Sequence, residues 1–320
     1  MLEVGPAAVD RALRPEKLVE ILRRAFREGA VQPLRHHHTI EHGRGAPTTL
    51  LLMPAWTKPG GANAYAGVKI VTVSPDNGHK NLPAVMGTYL LLDAETGAPL
   101  AAIDGPRLTL WRTAAASALA ASYLARRDAS KLLVVGAGAL APFLARAHAK
   151  TRPIREVRVW NRTPERAARV AAELGAQEGL DARAAADLDE AVAWADIVSS
   201  ATISSTPLVK GALLKPGSHL DLVGAFTPDM RESDDEAVRR ARVFVDIRES
   251  ALKEAGDIVQ ALLSGALTPE GIEADLYDLT REKHPGRRSD DEITLFKSVG
   301  AAIEDLAAGI AIYEHLAGGR

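Results

Sequence analysis

Cysteine is absent from this sequence, which excludes a disulfide framework, a thiolate metal site and a catalytic thiol at once. Aromatic residues are scarce, at 4%. Alanine is abundant instead, which suits helices packed closely against a sheet. An excess of one charge is missing too: 39 Lys and Arg against 41 Asp and Glu leave a formal net charge of −2. A chain so balanced has no electrostatic reason to bind nucleic acid or an anionic membrane surface. No run reaches the ~18 apolar residues of a membrane span. The opening MLEVGPAAVDRALRPEK lacks the basic-then-apolar order of a secretion signal. A soluble cytoplasmic protein, with neither nucleic acid nor membrane as partner, is the expectation.

What is present fits a globular chain: 47% hydrophobic and 25% charged residues over 320 positions, enough for about two domains at ~150 residues each. Leu18, Ile21, Leu22, Ala25 and Phe26 recur at helical steps and predict a helix over 14–30, started by Pro15 and Glu16 and ended by Gly29. Short apolar runs at 48–56, 67–73, 85–93 and 98–104, separated by Gly, Pro, Asn and Asp, read as strands. An alanine-dense helix is expected over 108–127.

From residue 131 the rhythm becomes strand–helix alternation. Strands are expected at 131–136, 156–161, 180–184, 195–201, 218–224 and 242–247, with helices at 164–175 and 233–241. Such alternation builds a parallel sheet covered on both faces. The segment 279–292 reads as a loop and 293–318 as one long helix. DMRESDDE and PGRR read as solvated surface.

GAGALA, at 136–141, follows an apolar strand and opens a helical run, matching the G-x-G-x-x-G/A dinucleotide fingerprint. Gly136 allows the tight turn, Gly138 lets the backbone approach a pyrophosphate, and Ala141 keeps helix and strand close. Ala139 and Leu140 complete the turn, and the helix N-terminus offers free N–H groups to the phosphates. At the end of the second strand an acidic residue would bond the adenine ribose and favour NAD. Asn161, Arg162 and Thr163 stand there instead. Arg162 can grip a 2′-phosphate with paired donors, while Thr163 suits the cap of the helix that Pro164 starts. NADP(H) is therefore the preferred cofactor, with NAD(H) possible.

LLLMPAW (50–56), GVKIV (67–71), LTLWRTAAASALAASYLA (108–125), GAGALA (136–141) and LFKSVGAAIEDLAAG (295–309) occur in this order. Together they resemble the ornithine cyclodeaminase/mu-crystallin family over nearly the whole chain. The resemblance implies an α/β fold: a Rossmann-type, doubly wound parallel sheet at 113–299 for NADP, and a smaller α+β domain. The latter, 1–112 with 300–320, would bind substrate and dimerise. It also implies that Lys69 and Arg112 are the basic residues facing the substrate, with Arg35 a third. Thr113 would touch the cofactor phosphates, with Arg112 and Asn81 also at the cofactor site. Ser298 would lie near the nicotinamide and Val299 beside the substrate.

Three considerations from the residues themselves bear on these roles. Arginine binds a carboxylate through two parallel charge-assisted bonds. Lys69 sits in an apolar strand, where burial is costly unless the ammonium is paired; on a half-exposed strand it would face solvent, as lysine usually does, and only the family resemblance turns it towards the substrate. Arg112 near the start of a helix is unfavourably placed in the dipole, and an anionic partner would explain it.

Cyclodeaminases of the family resemble one another in an aspartate two residues before a proline, after a strand ending in Val-Gly. The matching residue in DLVGAFTPDM is Phe226, whose ring neither accepts a proton nor pairs with an ammonium. Asp229 falls after the proline, as a turn residue. The expectation is reduction of a cyclic imine acid, Δ1-pyrroline-2-carboxylate or Δ1-piperideine-2-carboxylate, to L-proline or L-pipecolate. Phe226 would line the substrate site. The alternatives are ornithine cyclisation, an alanine-type dehydrogenase and a non-catalytic NADP-dependent ligand binder. A homodimer is implied by the family alone. His36, His37 and His38 point to alternating faces if extended and so cannot all ligate one ion; no metal site is expected.

Overall fold

A computed structural model of the chain describes residues 1–43, 45–60 and 64–318. The chain divides into two compact units, Met1–Arg112 with Ala301–Arg320, and Thr113–Gly300.

The first unit carries β1 (Leu2–Val4), α1 (Pro6–Ala12), α2 (Pro15–Glu28), β2 (Ala30–Val31), β3 (His36–Ile40), β4 (Thr48–Thr57), β5 (Tyr65–Val73), β6 (Val85–Asp93) and β7 (Pro99–Asp104). Strands β4 to β7 form an antiparallel meander, to which β1 adds in parallel beside β7. Both β2 and β3 pair with β4. In α2, Leu18, Val19, Leu22 and Phe26 are buried and Gly29 ends the helix at φ 82°. His36, His37 and His38 are all exposed and alternate along β3. α3 (Gly105–Leu124) follows, and the division between the units falls within it. It starts three residues earlier than the alanine pattern predicts, so Arg112 lies two turns inside the helix rather than at its start.

The second unit contains β8 (Lys131–Val135), α4 (Ala141–Thr151), β9 (Glu156–Trp160), α5 (Pro164–Glu178), β10 (Asp181–Ala184), α6 (Leu188–Trp194), β11 (Ile197–Ser200), β12 (His219–Leu222), α7 (Asp235–Arg240) and β13 (Ala241–Val245). It continues with α8 (Arg248–Glu254), α9 (Gly256–Ser264), β14 (Ile272–Asp275), α10 (Leu276–Thr280) and β15 (Ile293–Lys297). The strand order is β10-β9-β8-β11-β12-β15-β13-β14, every pair parallel. The order reverses between β8 and β11, the crevice where doubly wound sheets bind ligands outside their strands' carboxyl ends.

The single helix expected over 293–318 is in fact strand β15 followed by α11 (Ala302–Ala317). All five residues of ITLFK are buried, between β12 and β13. A parallel strand covered on both faces is a continuous apolar run with no period-2 signature, so periodicity does not separate it from a helix. Two further expectations fail. Residues 279 and 280 belong to α10, and PGRR is not simply solvated. Arg287 donates to the carbonyls of Leu124 (2.6 Å) and Ser218 (3.1 Å) and to Thr294 Oγ1 (3.1 Å). A guanidinium's five donors satisfy carbonyls that a loop would otherwise leave buried and unpaired.

In the first unit α11 packs against α2 and across β4, β5 and β6. Gly309 makes this approach possible, since a Cβ there would lie 2.6 Å from the Tyr89 ring of β6. Among the described residues no helix is long and apolar enough to cross a membrane.

Candidate active site

The glycine turn of the second unit has two unlike glycines. Gly136, after β8, has φ 102°, and a Cβ on it would stand 2.6 Å from the Ala201 carbonyl beyond β11. Only glycine fits there. Gly138 is exposed, and nothing lies within 4 Å of where its Cβ would be. Ala139 is also exposed, while Leu140, the N-cap of α4, offers no side-chain acceptor to the helix. The turn is thus an open cradle of small residues against an uncapped, electropositive helix end, as a pyrophosphate requires.

Asn161 joins this cradle to the next turn. Its Oδ1 accepts from Ala137 N–H (3.1 Å) and its Nδ2 donates to the Thr163 carbonyl (3.0 Å). Arg162 and Thr163 are exposed. Thr163 occupies the N-cap of α5, yet its hydroxyl makes no capping bond. The Thr163 carbonyl instead accepts the Arg166 N–H (3.1 Å). The tip of β9 therefore presents a guanidinium, a hydroxyl and an uncapped helix end, with no carboxylate. The residues fit a dinucleotide.

Further along the same edge, Phe226 follows β12 and is 43% exposed, and Ile203 follows β11 at 80%. Ser298 and Val299 are buried just past β15, where Asp246 Oδ2 accepts the N–H groups of Val299 (2.7 Å) and Gly300 (2.8 Å). Thr113 is buried in α3. Asp229 accepts from Thr227 Oγ1 (2.6 Å) in a local turn.

DMRESDDE departs from the expected solvated surface. Glu232 and Ser233 are fully buried. Glu232 accepts from Ser200 Oγ (2.7 Å), Thr202 N–H (2.7 Å), Thr202 Oγ1 (2.9 Å) and Gly224 N–H (2.6 Å). Buried Lys297 lies 3.9 Å from it and 3.3 Å from Asp257. An acid-rich segment is solvated only if its backbone stays outside, and here it passes under the sheet's edge.

The first unit holds a separate charged cluster. Lys69 on β5 and Arg112 on α3 are 3% and 6% exposed, respectively. Strand alternation directs Lys69 towards α11, where Asp305 receives its ammonium at 2.8 Å. Arg112 reaches the same carboxylate through Nε (3.1 Å) and Glu304 through Nη1 (2.7 Å). Burial pushes the Lys69 pKa down to about 8; repulsion from Arg112 adds to this, Asp305 opposes it, and Arg35 contributes a further lowering. Arg35 is thus electrostatically part of the group and is half-buried before β3. Among these five groups three cations meet two carboxylates, so an added carboxylate is matched in charge. The partners of Lys69 and Arg112, Glu304 and Asp305, were not assigned from sequence. Two adjacent acids inside an otherwise apolar AAIEDLAAG helix were the available signal. Asn81 belongs to the first unit, where it is exposed and ends the short helix at 75–80 in a left-handed turn at φ 56° that suits asparagine.

A glycine turn at the crossover of an all-parallel, doubly wound sheet defines the second unit as a Rossmann-type α/β domain. The model of the ornithine cyclodeaminase/mu-crystallin family matches residues 7–320, and the chain belongs to that family. It is 42% identical over 297 residues to the Δ1-pyrroline-2-carboxylate reductase of Paracoccus denitrificans, covering 90% of this chain and 92% of that one. The structure of Thermococcus litoralis Δ1-pyrroline-2-carboxylate reductase in complex with NADH and L-proline matches with TM-score 0.93 and 34% identity, over 100% and 98% of the two chains. An archaeal alanine dehydrogenase dimer with bound NAD matches with TM-score 0.89 and 30% identity, over 100% and 97%.

Proposed function

We propose that this protein is an NADPH-dependent oxidoreductase of the cytoplasm. It reduces the C=N bond of a cyclic imine acid, Δ1-pyrroline-2-carboxylate or Δ1-piperideine-2-carboxylate, to L-proline or L-pipecolate. The observation that carries this reading is the buried Lys69–Arg112 pair held by Asp305 and Glu304. Two cations kept in place by fixed carboxylates are preorganised for the carboxylate of a small acid, at little reorganisation cost. Arg35 adds a third positive charge. Phe226 gives the sheet edge of the second unit an apolar surface for a ring, where an aspartate would serve an amine.

Gly136, Gly138, Ala139 and Leu140 hold the pyrophosphate, Arg162 and Thr163 the 2′-phosphate, and Asn161 fixes the turn between them. Thr113 assists at the phosphates, and Ser298 and Val299 form the floor beyond β15. The same cradle admits NAD(H), with lower preference because nothing acidic awaits the ribose. When bound, the reduced nicotinamide supplies the hydride that the imine carbon accepts. The imine nitrogen keeps a proton drawn from solvent, which makes its carbon more electrophilic. Lys69 and Arg112 orient the substrate by its carboxylate, and such orientation supplies much of a barrier reduction.

The protein acts as a homodimer in this reading. Trp56, Ile70 and Met86 are exposed on β4, β5 and β6, and by strand register they share the sheet face opposite Lys69. An apolar patch of that kind marks an interface.

The experiment is a substrate panel followed at the absorbance of reduced coenzyme. The five- and six-membered cyclic imine acids should be turned over, and ornithine or pyruvate with ammonium should not. Deamination of ornithine, or tight coenzyme binding without turnover of either imine, overturns the reading.

A further inference from the structure

Glu232 stands outside every role given above, yet it is a fully buried carboxylate that accepts four hydrogen bonds at the sheet's carboxyl edge. Its Oε1 accepts from Ser200 and from both N–H and hydroxyl of Thr202, its Oε2 from Gly224 N–H. It thereby ties the segment leaving β11 to the segment leaving β12. These segments carry Ile203 and Phe226, the two large apolar side chains exposed at this edge. The same β11 segment touches the glycine turn, because a Cβ on Gly136 would meet the Ala201 carbonyl and the Thr202 side chain. On the β12 side, a Cβ on Gly224 would collide with the Thr202 carbonyl and the Glu232 carboxylate. The carboxylate therefore sits in a space kept open by glycine.

We infer that Glu232 is a positioning residue for the nicotinamide half of the coenzyme, setting the spacing of the Ile203 and Phe226 segments on either side of it. This rests on the reading of the second unit as the dinucleotide site. Each segment has a backbone bond of its own, Gly256 N–H to the Ala225 carbonyl and Arg231 N–H to the Ser204 carbonyl, but spacing one against the other takes a group bonded to both. A buried anion bonded to both loop bases does that work, since charge-assisted bonds in a dry site are stronger than neutral ones.

The groups facing Glu232 are Lys297 from β15, Asp257 from α9, and the neutral donors Ser200, Thr202 and Gly224. Burial raises its pKa to about 7; Lys297 opposes that and Asp257 adds to it. Asp257 is itself engaged by the N–H groups of Glu232 and Ser233, both at 2.9 Å. Lys297 thus offsets only part of the cost of burying the Glu232 carboxylate, and protonation of Glu232 would cost the loops an acceptor.

The test compares wild type with Glu232→Gln and Thr202→Val. Gln would turn an N–H donor toward either the Gly224 N–H or the Ser200 and Thr202 donors, while Val removes one hydroxyl bond and keeps the side-chain volume. Binding is measured for reduced coenzyme and for ADP-ribose with and without its 2′-phosphate, alongside the fluorescence of bound reduced nicotinamide from pH 5.5 to 8.5. Affinity for the ADP-ribose forms should stay within about twofold, reduced coenzyme should lose roughly tenfold or more, and nicotinamide emission should move toward the free value. The wild-type emission should change as pH falls through about 7, and that change should vanish in Glu232→Gln. Parallel weakening of every ligand with falling Tm, or unchanged coenzyme binding and emission in both variants, overturns the inference. These readouts do not need imine turnover. Failure of the wild type on the substrate panel leaves them standing, while wild type that binds no dinucleotide overturns both readings.

Discussion

Lys69 and Asp305 form a buried ion pair across the first unit, Nζ to Oδ2 at 2.8 Å, and Arg112 shares the same carboxylate. Asp305 is therefore the common counterion of two cations drawn from separate elements. Asp305→Asn should remove the charge they share, while Arg112 keeps its bond to Glu304. Breaking a buried pair by removing one partner costs about 3–5 kcal/mol, and the Lys69 pKa should fall further. Denaturant unfolding and the pH dependence of kcat/KM check both. A variant as stable as the parent would mean that the shared ion pair adds nothing net to the stability of the fold.

Lys69 is cationic below about pH 8 and neutral above it. kcat/KM for the imine acid should accordingly fall as pH rises through that value. Lys69→Arg keeps the charge at all accessible pH and should remove this limb, whatever its effect on the maximum rate. A limb that persists unchanged belongs to the substrate.

The two glycines of the turn should separate fold from ligand binding. Gly136→Ala forces an L residue to φ 102° against the Ala201 carbonyl and should cost about 1–3 kcal/mol of stability. Gly138→Ala meets open space and should leave stability within about 0.5 kcal/mol. It should still weaken coenzyme roughly tenfold, because the methyl occupies the pyrophosphate's approach. Melting curves and coenzyme titrations of both variants decide the matter.

Arg162 is exposed beside the uncapped start of α5. Arg162→Ala should raise the KM for NADPH about 10–100-fold, the worth of one or two charged hydrogen bonds, and leave the KM for NADH within about twofold. An equal effect on both coenzymes would assign the guanidinium elsewhere.

The sequence made some of this legible and hid the rest for physical reasons. GAGALA after an apolar run needed only local chemistry to be read, and β8, the turn and α4 lie where it put them. Lys69 between Val68 and Ile70 needs a partner only if it is buried, and a half-exposed strand would let it face solvent; its burial and its partner, 236 positions away, are both long-range facts. β15 escaped because a strand flanked on both sides in a parallel sheet loses the alternation that reveals strands at a surface. Glu232 escaped because composition averages over a segment: its neighbours Asp229 and Glu236 are exposed while it is fully enclosed. Thr163 had the right residue type for a cap, and the backbone carbonyl took its hydrogen bond first.

The insertion of β15 between β12 and β13 also constrains how the chain is made. While the ribosome is still translating the 290s, β12 and β13 have no common neighbour to pair with, and the sheet stays split. The first unit waits as well, since α11, which covers β4 to β6, is made after every strand it covers. Both units are thus held incomplete until residues 293–317 have been made, and a nascent chain stalled before them exposes two unfinished sheets to the cell's quality control.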